Sequence, residues 1–93
     1  MSELLDLQTL MVFRFVRDFI RRQGMGPSHR EIAQGTYMAA TTMVIHLTRL
    51  EMRAWLYRDY NIPRSVRLGE CAPSDAQFDK IWKSALALDE SED

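Results

Sequence analysis

Apolar positions recur at helical spacing in three stretches of the chain, and the first is the clearest. Val12, Phe13, Val16, Phe19 and Ile20 keep helical spacing, Asp6 stands where an N-cap belongs, and Gly24 closes the run. At about 100° per residue, Met11, Val12, Phe13, Phe15, Val16, Phe19 and Ile20 spread over roughly 200°, about twice what one packed face needs. Arg14, Arg17, Arg21 and Arg22 fill the remainder. Such a helix is either buried at the centre of the molecule or serves two neighbours, one of them a C-terminal helix.

"GMGPSHREIAQ" breaks this helix and starts another. Gly24 suits the residue after a helix end and Pro27 is a stop. Ser28-x-x-Glu31 is a capping box that opens a short second helix, with Ile32 and Ala33 inward. Gly35 to Ala39 reads as a turn, and a third helix runs from about Ala40 to Arg53. Trp55-Leu56-Tyr57 and Ser65-Val66-Arg67-Leu68 read as short strands around the turn-rich "DYNIPR". Pro63 belongs at the loop tip, because it cannot donate to a ladder. Ser74-x-x-Gln77 opens a last helix with Phe78, Ile81, Trp82, Ala85 and Leu88 as its stripe, and "DESED" reads as a solvated acidic end. The expected fold is mainly α with a small β-hairpin: a winged helix-turn-helix over residues 1–70, then a C-terminal helix and acidic tail over 71–93.

The third helix carries the candidate chemistry. On its wheel Ala40, Met43, Val44, Leu47, Leu50 and Ala54 gather on one side. Thr41, Thr42, Ile45, His46, Thr48, Arg49, Met52 and Arg53 gather on the other. Hydroxyls near the N-terminus, a branched apolar side chain and two arginines suit a helix that reads a major groove. Threonine hydroxyls bond phosphate or base edges, Ile45 packs on a thymine methyl, and Arg49 forks onto guanine or bonds the backbone. The plain alternative is an amphipathic surface helix with Ile45 covered by a neighbour.

Composition changes this picture in one respect. A chain of 93 residues, 46% apolar and 27% charged, makes one small globular domain. Its net charge of -1 looks wrong for a nucleic-acid binder until it is divided. Residues 1–70 hold ten arginines against seven acids, leaving +3, and residues 71–93 hold two lysines against six acids, leaving -4. Exclusive use of arginine in the larger part suits forked contacts to phosphate or guanine, or reflects the codon bias of a GC-rich genome. No apolar run approaches the roughly 18 residues of a membrane span, and Met1-Ser2-Glu3 lacks the basic start of a signal peptide. A lone Cys71 excludes an internal disulfide framework, fits a reducing cytoplasm, and reads as a partly buried thiol. His29, His46 and Cys71 have no metal-ligand spacing, and there is no Gly-rich phosphate loop or nucleophile–base signature. No cofactor and no enzyme activity are expected.

"QTLMVFRFVRDFIRRQGMGPSHREIAQ", then "HLTRLEMRAWL" and "RSVRL", together resemble the N-terminal winged-helix DNA-binding domain of LexA repressors over about residues 4–69. The resemblance implies a bacterial or phage-encoded repressor that acts as a dimer on palindromic double-stranded DNA at the nucleoid. It puts Ala39, Thr41, Thr42, Val44 and Ile45 in the places of the family's base-reading residues. The sequence departs from the family pattern in three places. It ends where the linker and self-cleaving protease domain would begin, so no autoproteolysis is implied. "GTYMAA" is about one residue shorter and lacks the leucine-glycine. Val44 and Ile45 replace the acidic pair of the recognition helix, so the family's operator is not to be assumed.

The candidate DNA contacts are thus Ser28, Ala39, Thr41, Thr42, Ile45, His46, Arg49 and Arg53, with Arg58, Asn61 and Arg64 from the wing. Arg64, beside Pro63, is placed by the resemblance in a minor groove or on phosphate. Phe78 and Trp82 read as core anchors rather than stacking platforms. Phe78, Ile81 and Trp82 either pack within one chain, on Met11, Phe15 and Phe19, or form a seam across a two-fold axis. The expectation is a homodimer, because a palindrome needs two recognition helices about one DNA turn apart. The rival function is a protein-interaction module, an adaptor or DNA mimic, that keeps the fold without DNA readout and engages a partner through the C-terminal helix.

Overall fold

Local hydrogen bonds start and stop the helices. The computed structural model describes residues 5–90, with side chains as far as Leu88, so the Met1-Ser2-Glu3 start and the side chains of the acidic "DESED" end lie outside the described residues. α1 (Leu7–Gln23) begins at Asp6, whose carboxylate accepts from the Thr9 N–H at 2.8 Å. It ends at Gly24, in the left-handed region at φ 76°, whose N–H donates to the Ile20 carbonyl. α2 (His29–Thr36) opens with the capping box complete, Ser28 and Glu31 each accepting from the other's backbone N–H.

α2 runs further than its sequence pattern predicts. Gly35 and Thr36 are helical, and the turn shrinks to Tyr37–Ala39. The Thr36 hydroxyl donates back to the Ile32 carbonyl at 2.7 Å. Gly35 lets Phe15 of α1 lie against the α2 backbone, for a Cβ there would stand 2.0 Å from the ring. Tyr37, at φ 58°, is the left-handed cap of this helix, a conformation that costs a non-glycine residue roughly 1–2 kcal/mol.

α3 (Ala40–Met52) ends in the same way, with Ala54 at φ 59° and the Trp55 N–H returning to the Leu50 carbonyl. The hairpin is shorter than predicted. β1 (Leu56–Tyr57) and β2 (Arg67–Leu68) pair antiparallel with Leu56 opposite Leu68 and Tyr57 opposite Arg67. Val66 falls outside the ladder but is buried, and a Cβ on Gly26 would stand 2.2 Å from its carbonyl oxygen. The glycine therefore admits the returning wing strand beside the α1–α2 connection. α4 (Asp75–Glu90) starts as the sequence predicts, Ser74 and Gln77 capping each other reciprocally.

The core takes Leu10, Val12, Phe13 and Val16 from α1, Ile32 and Ala33 from α2, and Met43, Leu47 and Leu50 from α3. Leu56, Val66 and Phe78 complete it. α1 does serve two neighbours, with α2 and α3 on one side and α4 on another. The surface that accepts α4 differs from expectation. Phe15 pairs with Phe19 and faces Gly35, while α4 lands on Phe13. Phe78 lies 5.4 Å from the Phe13 ring, and Arg17 and Arg14 cover Phe78 and Trp82 at 4.9 and 4.2 Å. Asp75 at the start of α4 pairs with Arg21 at 2.9 Å. Phe78 is 2% exposed, and Ile81 and Trp82 pack half-buried on the same core. Phe78 thus packs within one chain, while Ile81 and Trp82 keep part of their surface outside the core.

Candidate nucleic-acid interface

α3 is held from beneath by Met43, Leu47 and Leu50, all fully buried against α1 and α2. That anchorage turns Thr41, Ile45, Thr48, Arg49 and Met52 outward. Ile45 is 54% and Met52 81% exposed, so no neighbour among the described residues covers the apolar part of this face. Thr42 and Val44 lie at its margins, half-buried. Ala40, expected inward, is exposed instead at the first turn. Ala39 is the N-cap and supplies no side-chain bond, so the first N–H groups of α3 have no side-chain cap.

His46, expected on the outward arc, points inward. It is 4% exposed, and its Nδ1 shares a 2.7 Å hydrogen bond with Thr9 Oγ1 of α1. The register explains the correction: 46 falls three residues after Met43 and four before Leu50, within the buried stripe. Thr9 occupies the matching place before Val12 and Phe13, so two polar groups meet in the core and satisfy each other. Burial pushes the His46 imidazole below its ordinary pKa; Asp6 opposes this and Arg49 adds to it.

The arginines of the face are not loose cations. Arg49 Nη1 bonds Asp6 Oδ2 at 3.1 Å. Arg58 is only 10% exposed at its side chain, bonded to Glu51 at 3.1 Å and 3.3 Å from His29 Nε2, so it braces the wing's base against α3 and α2. Arg64 forks onto both Glu31 oxygens at 2.9 and 3.2 Å, tying the wing tip to the start of α2. Arg67 meets Asp59 at 3.4 Å. Arg53, at the C-cap of α3, is half-buried. Sequence reasoning missed these carboxylates as partners, because each lies between 7 and 43 residues from its arginine and no local pattern marks the pairs.

The wing loop between the strands is pinned by Ser65, whose Oγ accepts from the Asp59 N–H and donates to the Asp59 carbonyl. Asn61 and Arg64 turn it through the left-handed region at φ 62° and 58°. Tyr60 and Ile62 stand out at 82% and 57% exposure. Between this loop and the start of α2 runs a groove of about 470 Å³ lined by Ser28, His29, Arg58, Tyr60 and Asn61, among others. The structure therefore brings Ser28 and Asn61 to one place, and Thr41, Ile45 and Arg49 to another. Cys71 is exposed rather than partly buried. Among the described residues no helix is long and apolar enough to cross a membrane.

Helix, turn, helix and hairpin in this order, with an outward third helix, define a winged helix-turn-helix domain. Residues 1–65 match the LexA DNA binding domain family, and the chain belongs to it. It is 34% identical over 74 residues to the LexA repressor of Clostridium perfringens, covering 78% of this chain and 36% of that protein. It is 37% identical over 78 residues to the LexA repressor of Streptomyces clavuligerus (82% and 33%) and 42% over 64 residues to that of Acidothermus cellulolyticus (66% and 23%). The chain thus spans about a third or less of the length of these curated relatives.

Proposed function

We propose that the chain binds double-stranded DNA sequence-specifically and represses transcription, with α3 in the major groove and the wing on the backbone or in the minor groove. The observation that carries this reading is the two-sided α3 of a LexA-family domain: Met43, Leu47 and Leu50 buried, Thr41, Ile45, Thr48 and Arg49 turned out. Ile45 offers its branched apolar surface to thymine methyls and Arg49 a fork to guanine. Repression is supported by the names of the relatives. One module of this size covers little DNA, so two copies on a two-fold site, about one helical turn apart, supply useful specificity.

Selection of bound duplexes from a random pool, followed by titration of the winning site, tests the reading. Arg49→Ala should lower discrimination by about 1–3 kcal/mol while leaving the fold intact, since Arg49 is half-exposed and its pair with Asp6 lies at the surface. Equal binding of the selected site by the variant would mean that this face does not read bases. The pairing of Arg49, Arg58, Arg64 and Arg67 with carboxylates favours a second reading, a protein-interaction module with a neutralised face. Binding to random duplex separates the two: a DNA binder weakens steeply with salt, and an adaptor shows no binding to weaken.

A further inference from the structure

Asp6 has two jobs at once. Its Oδ1 caps α1 through the Thr9 N–H at 2.8 Å, and its Oδ2 holds Arg49 Nη1 at 3.1 Å, across 43 residues of sequence. The carboxylate is fixed by the helix it caps, and Thr9 beneath it is fully buried and bonded to His46 of α3. Asp6 is thus a carboxylate post held by its cap bond beside Arg49 of the outward face. Among the described residues it engages only Nη1 of Arg49, so Nε and Nη2, one edge of the guanidinium, stay open. Burial raises the Asp6 carboxyl, but the hydrogen bonds from Thr9, with nearby His46 and the Arg49 charge, outweigh it and leave it below the ordinary carboxylate value. At neutral pH the post is charged.

A free arginine on a DNA-facing helix has two uses. It can neutralise any phosphate, which adds affinity for every sequence, or it can fork onto a base edge, which adds affinity for one. A carboxylate on Nη1 disfavours the first, because it already supplies the negative charge and repels a second one. It favours the second, because it fixes the plane of the guanidinium and leaves the other edge for a base.

We propose that Asp6 is a positioning residue that sets sequence discrimination, by presenting one edge of Arg49 to a base and keeping that arginine off phosphate. The inference rests on the DNA-binding reading and names the specificity-determining pair within it.

Asp6→Asn is the test, because asparagine caps a helix about as well as aspartate and removes only the charge. The selected duplex and a random duplex are titrated across a range of salt. The random duplex should bind the variant several-fold more tightly, with the slope of log affinity against log salt steeper by about 0.9, the value of one added phosphate contact. The ratio of selected to random affinity should fall about tenfold, the discrimination of one forked base contact. Asp6→Ser, a second neutral cap, should do the same and guards against a defect peculiar to asparagine. In an Arg49→Ala background Asp6→Asn should change neither the ratio nor the slope. An unchanged ratio in the single variant overturns the inference. So does a change that persists without Arg49, which would be the general effect of removing an acid near DNA. A wild-type chain that selects no duplex overturns the DNA-binding reading itself, and this inference with it.

Discussion

Replacing Phe78 by alanine separates an internal helix from an interface helix. Phe78 is the deepest residue of α4, at 2% exposure, and its ring meets Phe13, Trp82 and the Arg17 guanidinium. Ile81, Trp82 and Ala85 are only half-buried around it. Truncating a buried phenylalanine costs about 3–5 kcal/mol, which already includes the lost ring pairs. A 93-residue domain has about 5–14 kcal/mol of stability in all. The variant should therefore lose about a fifth of its stability or more, and its melting midpoint should fall by roughly 12 °C or more. Urea and thermal unfolding followed by far-ultraviolet dichroism, with tryptophan fluorescence reporting Trp55 and Trp82 together, give the magnitude. The same measurement at two widely separated protein concentrations gives the origin. A loss independent of concentration places Phe78 within one folded chain. If the variant kept its midpoint at low concentration and only its sedimenting mass fell, the packing of α4 on Phe13 would be refuted.

Two further outcomes follow from the ion pairs and the buried imidazole. Arg64→Ala should release the wing tip from Glu31 and so weaken binding to all duplexes alike; a loss confined to one base position would mean that the wing reads sequence. His46 and His29 are both held below the ordinary histidine value of 6.5 by burial, with the Arg58 charge adding to the effect on His29. The unfolded chain then takes up protons first, so stability is full above about pH 6.5 and falls as pH drops through that value toward the lower folded ones. Asp6, Glu31 and Asp75 lie below their ordinary values, so what they contribute is kept until more acid conditions. Melting midpoints at about pH 7.5 and about pH 5.5 should show the histidine loss, and His46→Gln should shrink it; a midpoint unchanged between them would contradict the buried neutral His46.

What was legible in the sequence is what local chemistry writes there. The Asp6 cap, the Ser28–Glu31 box and the Ser74–Gln77 start each join residues three apart, and each appears as read. The outward Ile45 was legible too, because helical register alone decides it. His46 was misplaced although the signal existed: it shares the buried stripe of Met43, Leu47 and Leu50, as Thr9 shares that of Val12, Phe13 and Val16. Two polar residues in core register on two helices are a sign of a buried hydrogen bond. The end of α2 was hidden because its cap is a tyrosine in a conformation that favours glycine. The partners of Arg49, Arg58 and Arg64 were illegible, since long side chains find carboxylates through the fold rather than along the chain.

The shortness of the hairpin has a consequence for how the wing behaves in solution. With only two residues in each strand, the ladder contributes little to holding the loop; buried Leu56 and Val66 and the Arg58 brace hold its base, and the Arg64–Glu31 fork and the Ser65 clasp hold its tip. The Arg64–Glu31 fork is an exposed ion pair, and such a pair weakens as salt is added. Added salt therefore acts twice on this molecule. It weakens the fork that holds the wing tip, and on the DNA-binding reading it also competes with arginine for phosphate, so that ionic strength would act on the ordering of the wing as well as on affinity.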